Sequence, residues 1–192
     1  MPQQDLRKPI VLLDLGGVVF QTAGTSNETI NWEIIGKLNG IYGHDFNLGR
    51  DVFPAFMREY RQQSGLDLSG EAFLEGVYDT LTFNKDLVSL LRKTHDIIIV
   101  SDNYRENIAY SSKRFHFSEW AIDQYYSFDY ALEKSDPAFF IRLIKELEMP
   151  GESLIYIDDS PKKLESAALQ GIKGILFEGN KAFAEKWEQK DD

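Results

Sequence analysis

Four short runs of Ile, Val, Leu, Tyr and Phe, at 10–13, 97–100, 154–157 and 174–177, restrict this chain more than any other feature. Each is too short for a helix, and none alternates apolar with polar residues. A strand with one face in water alternates, whereas a strand covered on both faces need not. Runs of this kind therefore suit the interior of a parallel sheet. Segment 125–128 is a weaker fifth candidate. The stretches between them carry helical spacing. Residues 86–94 set Leu87, Leu90 and Leu91 on one side, and 137–147 do the same with Phe139, Phe140, Leu143, Ile144 and Leu147. Segment 161–169 opens with Pro161 at a helix start and is stopped by Gly171. Strand and helix in alternation predict the α/β class, a doubly wound parallel sheet of Rossmann-like form.

One interval is too long for that pattern. More than 80 residues separate 13 from 97, while a βαβ unit needs only about 30. The surplus reads as helical: Ile30, Ile34, Ile35 and Leu38 share a face, as do Val52, Phe56 and Tyr60, and then Phe73, Leu74 and Val77. The expected organisation is a core of residues 1–21 and 83–192, with a small helical cap inserted at 22–82. Ligands of open α/β sheets bind beyond the carboxyl ends of the strands, so an insertion leaving that edge can cover the site. The tail, 181–192, reads as an amphipathic helix that frays over its last four residues.

Composition narrows the function classes. With 43% hydrophobic and 13% aromatic residues among 192, the chain can build a real core. That aromatic content suits one core or an interface equally, which leaves the oligomeric state open. A formal charge of −10 repels phosphate backbones and excludes nucleic acid as the expected partner. The absence of Cys removes disulfides, thiolate metal sites and cysteine nucleophiles. No apolar run approaches the roughly 18–20 residues of a membrane span, and the first eight residues lack a signal-peptide core. A soluble, cytoplasmic protein without membrane contact is expected. His44, His95 and His116 show no metal-ligand spacing, and the aromatic segment 120–130 reads as core.

The ends of the runs carry the chemistry. The first ends in Asp14, followed by Leu15-Gly16-Gly17; the glycines let backbone approach a ligand, with N–H groups free for oxyanions. The same segment also reads as a tight turn capped by Asp14. The second ends in Ser101-Asp102-Asn103, a hydroxyl for a phosphoryl oxygen or a helix cap. Lys134 precedes a helix and can neutralise phosphate or stand as an exposed loop lysine. The third run named above ends in Asp158-Asp159. Adjacent acids at the end of a buried strand repel each other unless a cation joins them, and hard oxygen ligands beside phosphate suggest Mg²⁺. A carboxylate, a hydroxyl, a lysine and an acid pair on one sheet edge match phosphoryl transfer.

The ordered set, Ile10-Val11-Leu12-Leu13-Asp14-Leu15-Gly16-Gly17-Val18, Ile98-Ile99-Val100-Ser101, Lys134-Ser135-Asp136-Pro137 and Ile155-Tyr156-Ile157-Asp158-Asp159-Ser160, resembles the haloacid dehalogenase superfamily of hydrolases. It is most similar to the helical-capped branch that includes small sugar-phosphate and α-glucose-1-phosphate phosphatases. The resemblance implies a Mg²⁺-dependent phosphatase of a small phosphorylated metabolite. In it Asp14 attacks phosphorus. Asp14, the carbonyl of Gly16, Asp158 and Asp159 hold the metal, while Leu15, Gly16, Ser101, Asp102 and Lys134 bind the phosphoryl group. A dehalogenase attacking carbon with the same Asp, or a weakly active binding or regulatory protein on this fold, are the alternatives. Three positions depart from the family pattern. Gly16 replaces the Asp that protonates the leaving group, a role worth roughly 10²–10⁴-fold. Asp102 replaces Asn, and Lys163 replaces an acid or amide; Lys163 is expected to pair with Asp158 or Asp159, or to lie in solvent.

Overall fold

All five candidate segments enter a single sheet in the computed structural model, which describes residues 8–24 and 29–188. The chain runs β1 (Ile10–Leu13), β2 (Phe20–Thr22), α1 (Trp32–Asn47), α2 (Phe53–Ser64), α3 (Gly70–Asp79), β3 (Leu81–Phe83), α4 (Lys85–Leu91), β4 (Asp96–Ser101), α5 (Arg105–Arg114), β5 (Asp123–Tyr126), α6 (Ser127–Tyr130), α7 (Pro137–Leu147), β6 (Leu154–Asp158), α8 (Pro161–Ala168), β7 (Lys173–Leu176) and α9 (Asn180–Glu188). The sheet order is β5-β4-β1-β6-β7, with every pair parallel. This is the doubly wound α/β architecture. The fifth strand lies two residues before the apolar segment 125–128, because Asp123 and Gln124 at the sheet margin need no apolar side chain.

Side chains alternate across a strand, and the two faces are covered separately. Val11 and Leu13 of β1, with Ile97, Ile99, Ile155 and Ile157, join a cluster with Leu87, Leu91, Phe117 and Phe183. Leu12, Ile98, Val100, Leu154 and Tyr156 face Phe139, Phe140 and Leu143 of α7. Burial on both faces explains why β1, β4 and β6 read as unbroken apolar runs. Local signals set the helix starts. Asp136 caps α7, its side chain accepting from the Ala138 N–H at 2.9 Å, with Pro137 in the first turn. Asn31 caps α1 by accepting from the N–H groups of Glu33 and Ile34, both at 3.1 Å.

The helical surplus builds a third apolar cluster of its own. Ile34, Ile35 and Leu38 of α1 pack with Phe56, Met57 and Tyr60 of α2 and Phe73 and Leu74 of α3. The Tyr60 hydroxyl ties the entrance of this unit by donating to the Thr29 carbonyl at 2.9 Å and accepting from the Asn31 N–H at 3.0 Å. Its two ends meet in an antiparallel ribbon of β2 and β3, with Phe20 opposite Phe83, Gln21 opposite Thr82 and Thr22 opposite Leu81. Residues 1–7, 25–28 and 189–192 lie outside the described residues. The readings of the chain's start, of a short part of the insertion and of a frayed tail fall there. No helix among the described residues is long and apolar enough to cross a membrane.

Candidate active site

Strand register assembles the site. Leu13 stands opposite Ile99 on one side and Ile157 on the other. The next residue on each strand, Asp14, Val100 and Asp158, therefore reaches the same level of the carboxyl edge. Asp14 continues the ladder by donating its N–H to the Ile157 carbonyl at 3.0 Å. Parallel pairing alone brings together residues far apart in sequence.

Lys134 reaches this edge from the loop before α7, and it is fully buried. Its ammonium donates to Asp14, to Asp158 at 2.8 Å and to the Val100 carbonyl at 3.0 Å, so all three N–H donors are engaged. The exposed-loop alternative for this lysine is thereby overturned. Burial disfavours the ammonium, but Asp14, Asp158 and Asp102 outweigh that cost and hold it above the ordinary lysine range. Asp14 is itself buried; loss of solvent pushes it up to about 6 against the attraction of Lys134, with Asp158 adding to the rise. Asp158 is also penalised by burial, but Lys134 and Lys163 hold it below the usual carboxylate range. The more exposed Asp159 is pushed upward by partial burial and by Asp158. Carboxylate oxygens of Asp14, Asp158 and Asp159 lie within 4.8 Å of one another.

The loop after β1 divides its donors. Gly17 gives its N–H to the Phe20 carbonyl at 2.9 Å, while the N–H groups of Leu15 and Gly16 take no partner among the described residues. The expectation of free donors at both glycines is corrected to Leu15 and Gly16. Gly17 instead makes room for an acid. Its φ is +73°, and a Cβ there would stand 2.0 Å from Asp159 Oδ2. Ser101 is buried at the end of β4, its hydroxyl accepting from Asn103 Nδ2 at 3.4 Å.

Two residues depart from expectation together. Asp102 accepts the Lys134 backbone N–H at 2.9 Å through Oδ1, and its Oδ2 lies 3.5 Å from Lys163 Nζ. Lys163 therefore pairs with Asp102 rather than with Asp158 or Asp159, and is only partly exposed. Charge on each offsets the other, and the Asp102 N–H keeps no protein partner among the described residues. Tyr156 was not foreseen: it is buried, and its hydroxyl donates to Asp158. The signal was present, since residues two apart on a strand share a face.

Residues 27–177, more than half the chain, match the family described as haloacid dehalogenase-like hydrolase. This chain belongs to the haloacid dehalogenase-like hydrolases. Among curated proteins none matches it. Solved structures share the hydrolase fold. A haloacid dehalogenase family enzyme of Bacteroides thetaiotaomicron, in complex with magnesium and inorganic phosphate, is 19% identical with a TM-score of 0.68, over 88% of this chain and 93% of that one. A haloacid dehalogenase family phosphatase of Thermococcus onnurineus is 18% identical with a TM-score of 0.57, over 89% and 86%. A 2-haloacid dehalogenase of Pseudomonas syringae is 16% identical with a TM-score of 0.57, over 88% and 86%.

Proposed function

We propose that this hydrolase is a Mg²⁺-dependent phosphatase acting on a small phosphorylated metabolite through an aspartyl-phosphate on Asp14. The observation that carries this reading is the charge arrangement around Lys134. Asp14, Asp158, Asp159 and Asp102 bring four carboxylates, while Lys134 and Lys163 bring two ammonium groups, so two negative charges lack a partner within the cluster. A divalent cation removes that surplus. Carboxylate oxygens of all three acids lie within 4.8 Å of one another, close enough to converge on one ion with ligands at about 2.0–2.1 Å. The donors are hard oxygens, which suit Mg²⁺. Asp14, Asp158, Asp159 and the Gly16 carbonyl would hold the ion. When bound it would neutralise charge on the transferring phosphoryl oxygens and admit an anionic ester to an acidic site.

The protein's own groups take the following parts. Asp14 attacks phosphorus in line with the ester oxygen; the Asp–O–P bond forms as the ester P–O bond breaks and the leaving oxygen takes the electron pair. Lys134 holds the Asp14 carboxylate in place and offsets its charge. The free N–H groups of Leu15, Gly16 and Asp102, with the Ser101 hydroxyl, receive the phosphoryl oxygens. Water then cleaves the acyl phosphate and releases inorganic phosphate. The unit at 22–82 acts as a cap over the sheet edge, excluding water and reading the rest of the substrate. The dehalogenase alternative uses the same attacking Asp but leaves the acid surplus without a purpose. A panel of phosphate esters assayed with Mg²⁺ and with excess chelator tests the proposal. Hydrolysis abolished by chelator is expected, and full activity in chelator contradicts it.

A further inference from the structure

A cavity of about 450 Å³ opens beside the acid cluster and shares Leu15, Gly16 and Gly17 with the loop after β1. Its far wall is the helical insertion. Trp32, Ile35 and Asn39 line it from α1, spaced so that they fall on one stripe of that helix. Phe20, Phe56, Phe73, Tyr78 and Tyr104 add aromatic surface. Trp32 stays 41% exposed.

The described residues lining this cavity include no Asp, Glu, Lys, Arg or His. Burial pushes the Tyr78 phenol up to about 12, so it too stays uncharged near neutrality. A carboxylate, amine or second phosphate placed here would lose water and meet no countercharge among the described lining residues. Polar contacts come from neutral groups. Asn107 donates to Asn103 at 2.7 Å, and the Asn39 side chain keeps no partner among the described residues. A second line of reasoning concerns the leaving group. Gly16 supplies no acid, and no carboxyl group among these lining residues replaces it. A leaving group that departs as a stable anion fits such a site, and an alkoxide does not.

We propose that the cavity receives an uncharged aryl group, and that the substrates are phosphate monoesters of neutral phenols; this rests on the phosphatase reading above. In the step, an Asp14 oxygen bonds to phosphorus, the aryl O–P bond breaks, and the phenolate leaves with the electron pair and takes a proton from water. Hydrolysis of the acyl phosphate by a second water completes the conversion to phenol and inorganic phosphate.

The test is equilibrium binding to the full chain carrying Asp14→Asn, which cannot be phosphorylated at that position. With Mg²⁺ present, 1-naphthyl phosphate, 3-carboxyphenyl phosphate and glucose 1-phosphate are titrated by calorimetry. The neutral aryl ester is expected to bind about 10-fold more tightly than either of the others, and Trp32→Ala should narrow that margin several-fold. Equal binding of the charged aryl ester, or tighter binding of the sugar ester, overturns the proposal. Acetyl phosphate, which carries no group to fill the cavity, is assayed with wild-type protein alongside. Mg²⁺-dependent hydrolysis of it with no aryl preference in binding overturns the cavity assignment alone. Failure to hydrolyse it overturns the phosphatase reading, whatever the binding shows.

Discussion

Lys134 and the two buried carboxylates it touches form a unit whose members cannot be removed singly. Lys134→Ala leaves Asp14 and Asp158 buried without their cation, and a loss of about 3–5 kcal/mol is expected, read by urea unfolding in chelator. Asp102 and Lys163 form a second unit. Their pair is partly exposed, with Lys163 at 23% and Asp102 at 12%. A double-mutant cycle with Asp102→Asn and Lys163→Ala should therefore give a coupling of about 1 kcal/mol or less. No coupling at all would place Lys163 in solvent. Gly16 offers the most informative substitution. It is not among the positive-φ glycines, and a Cβ added to it meets nothing within 4 Å. The position thus has room for a side chain. Gly16→Asp should raise the hydrolysis of alkyl phosphates, up to roughly 10²-fold, and change aryl esters far less. Equal gains for both classes would mean that protonation of the leaving group is not what this site lacks. Gly17 is the opposite case, since its Cβ would collide with Asp159.

At the scale of elements, legibility followed burial. Strands β1, β4 and β6 were readable because both of their faces are covered. Helix α5 was not singled out because only Ile108 and Ser111 of its residues are buried, which leaves no apolar stripe. The β2–β3 ribbon escaped because a three-residue strand carries no period. The site was legible as a list of residue types at strand ends, but its pairings were not. Which acid Lys163 meets depends on how α8 leaves β6 beside the end of β4. Tyr156 could have been found from its two-residue spacing to Asp158. In the insertion, Tyr60 joins α2 to the entrance of α1 through two hydrogen bonds. Tyr60→Phe removes both and leaves the Asn31 N–H and the Thr29 carbonyl without this partner. A cost of about 1–3 kcal/mol is expected, with faster amide exchange in α1 and α2 than in the sheet. Uniform exchange across the chain would show that the insertion does not open separately.

Across the whole molecule, the insertion rests on the core near the loop that carries Lys134. His44 and Asn47 of α1 both contact Glu133 at 3.1 Å, one residue before Lys134, and Phe46 stacks on Tyr104 with ring centroids 4.3 Å apart. Glu133→Ala should weaken this docking modestly, since exposed pairs contribute about 0–1 kcal/mol. The expected result is a rise in KM of a few-fold, with kcat reduced less; an unchanged KM would indicate that docking at Glu133 does not limit binding. The chemistry itself is tested by trapping. Wild-type protein and the Asp14→Asn variant are incubated with ³²P-labelled acetyl phosphate and Mg²⁺, quenched in acid and digested. Label on the peptide containing Asp14 in the wild type, and none in the variant, is the predicted result. Label on another residue, or wild-type turnover by Asp14→Asn, contradicts nucleophilic attack by Asp14.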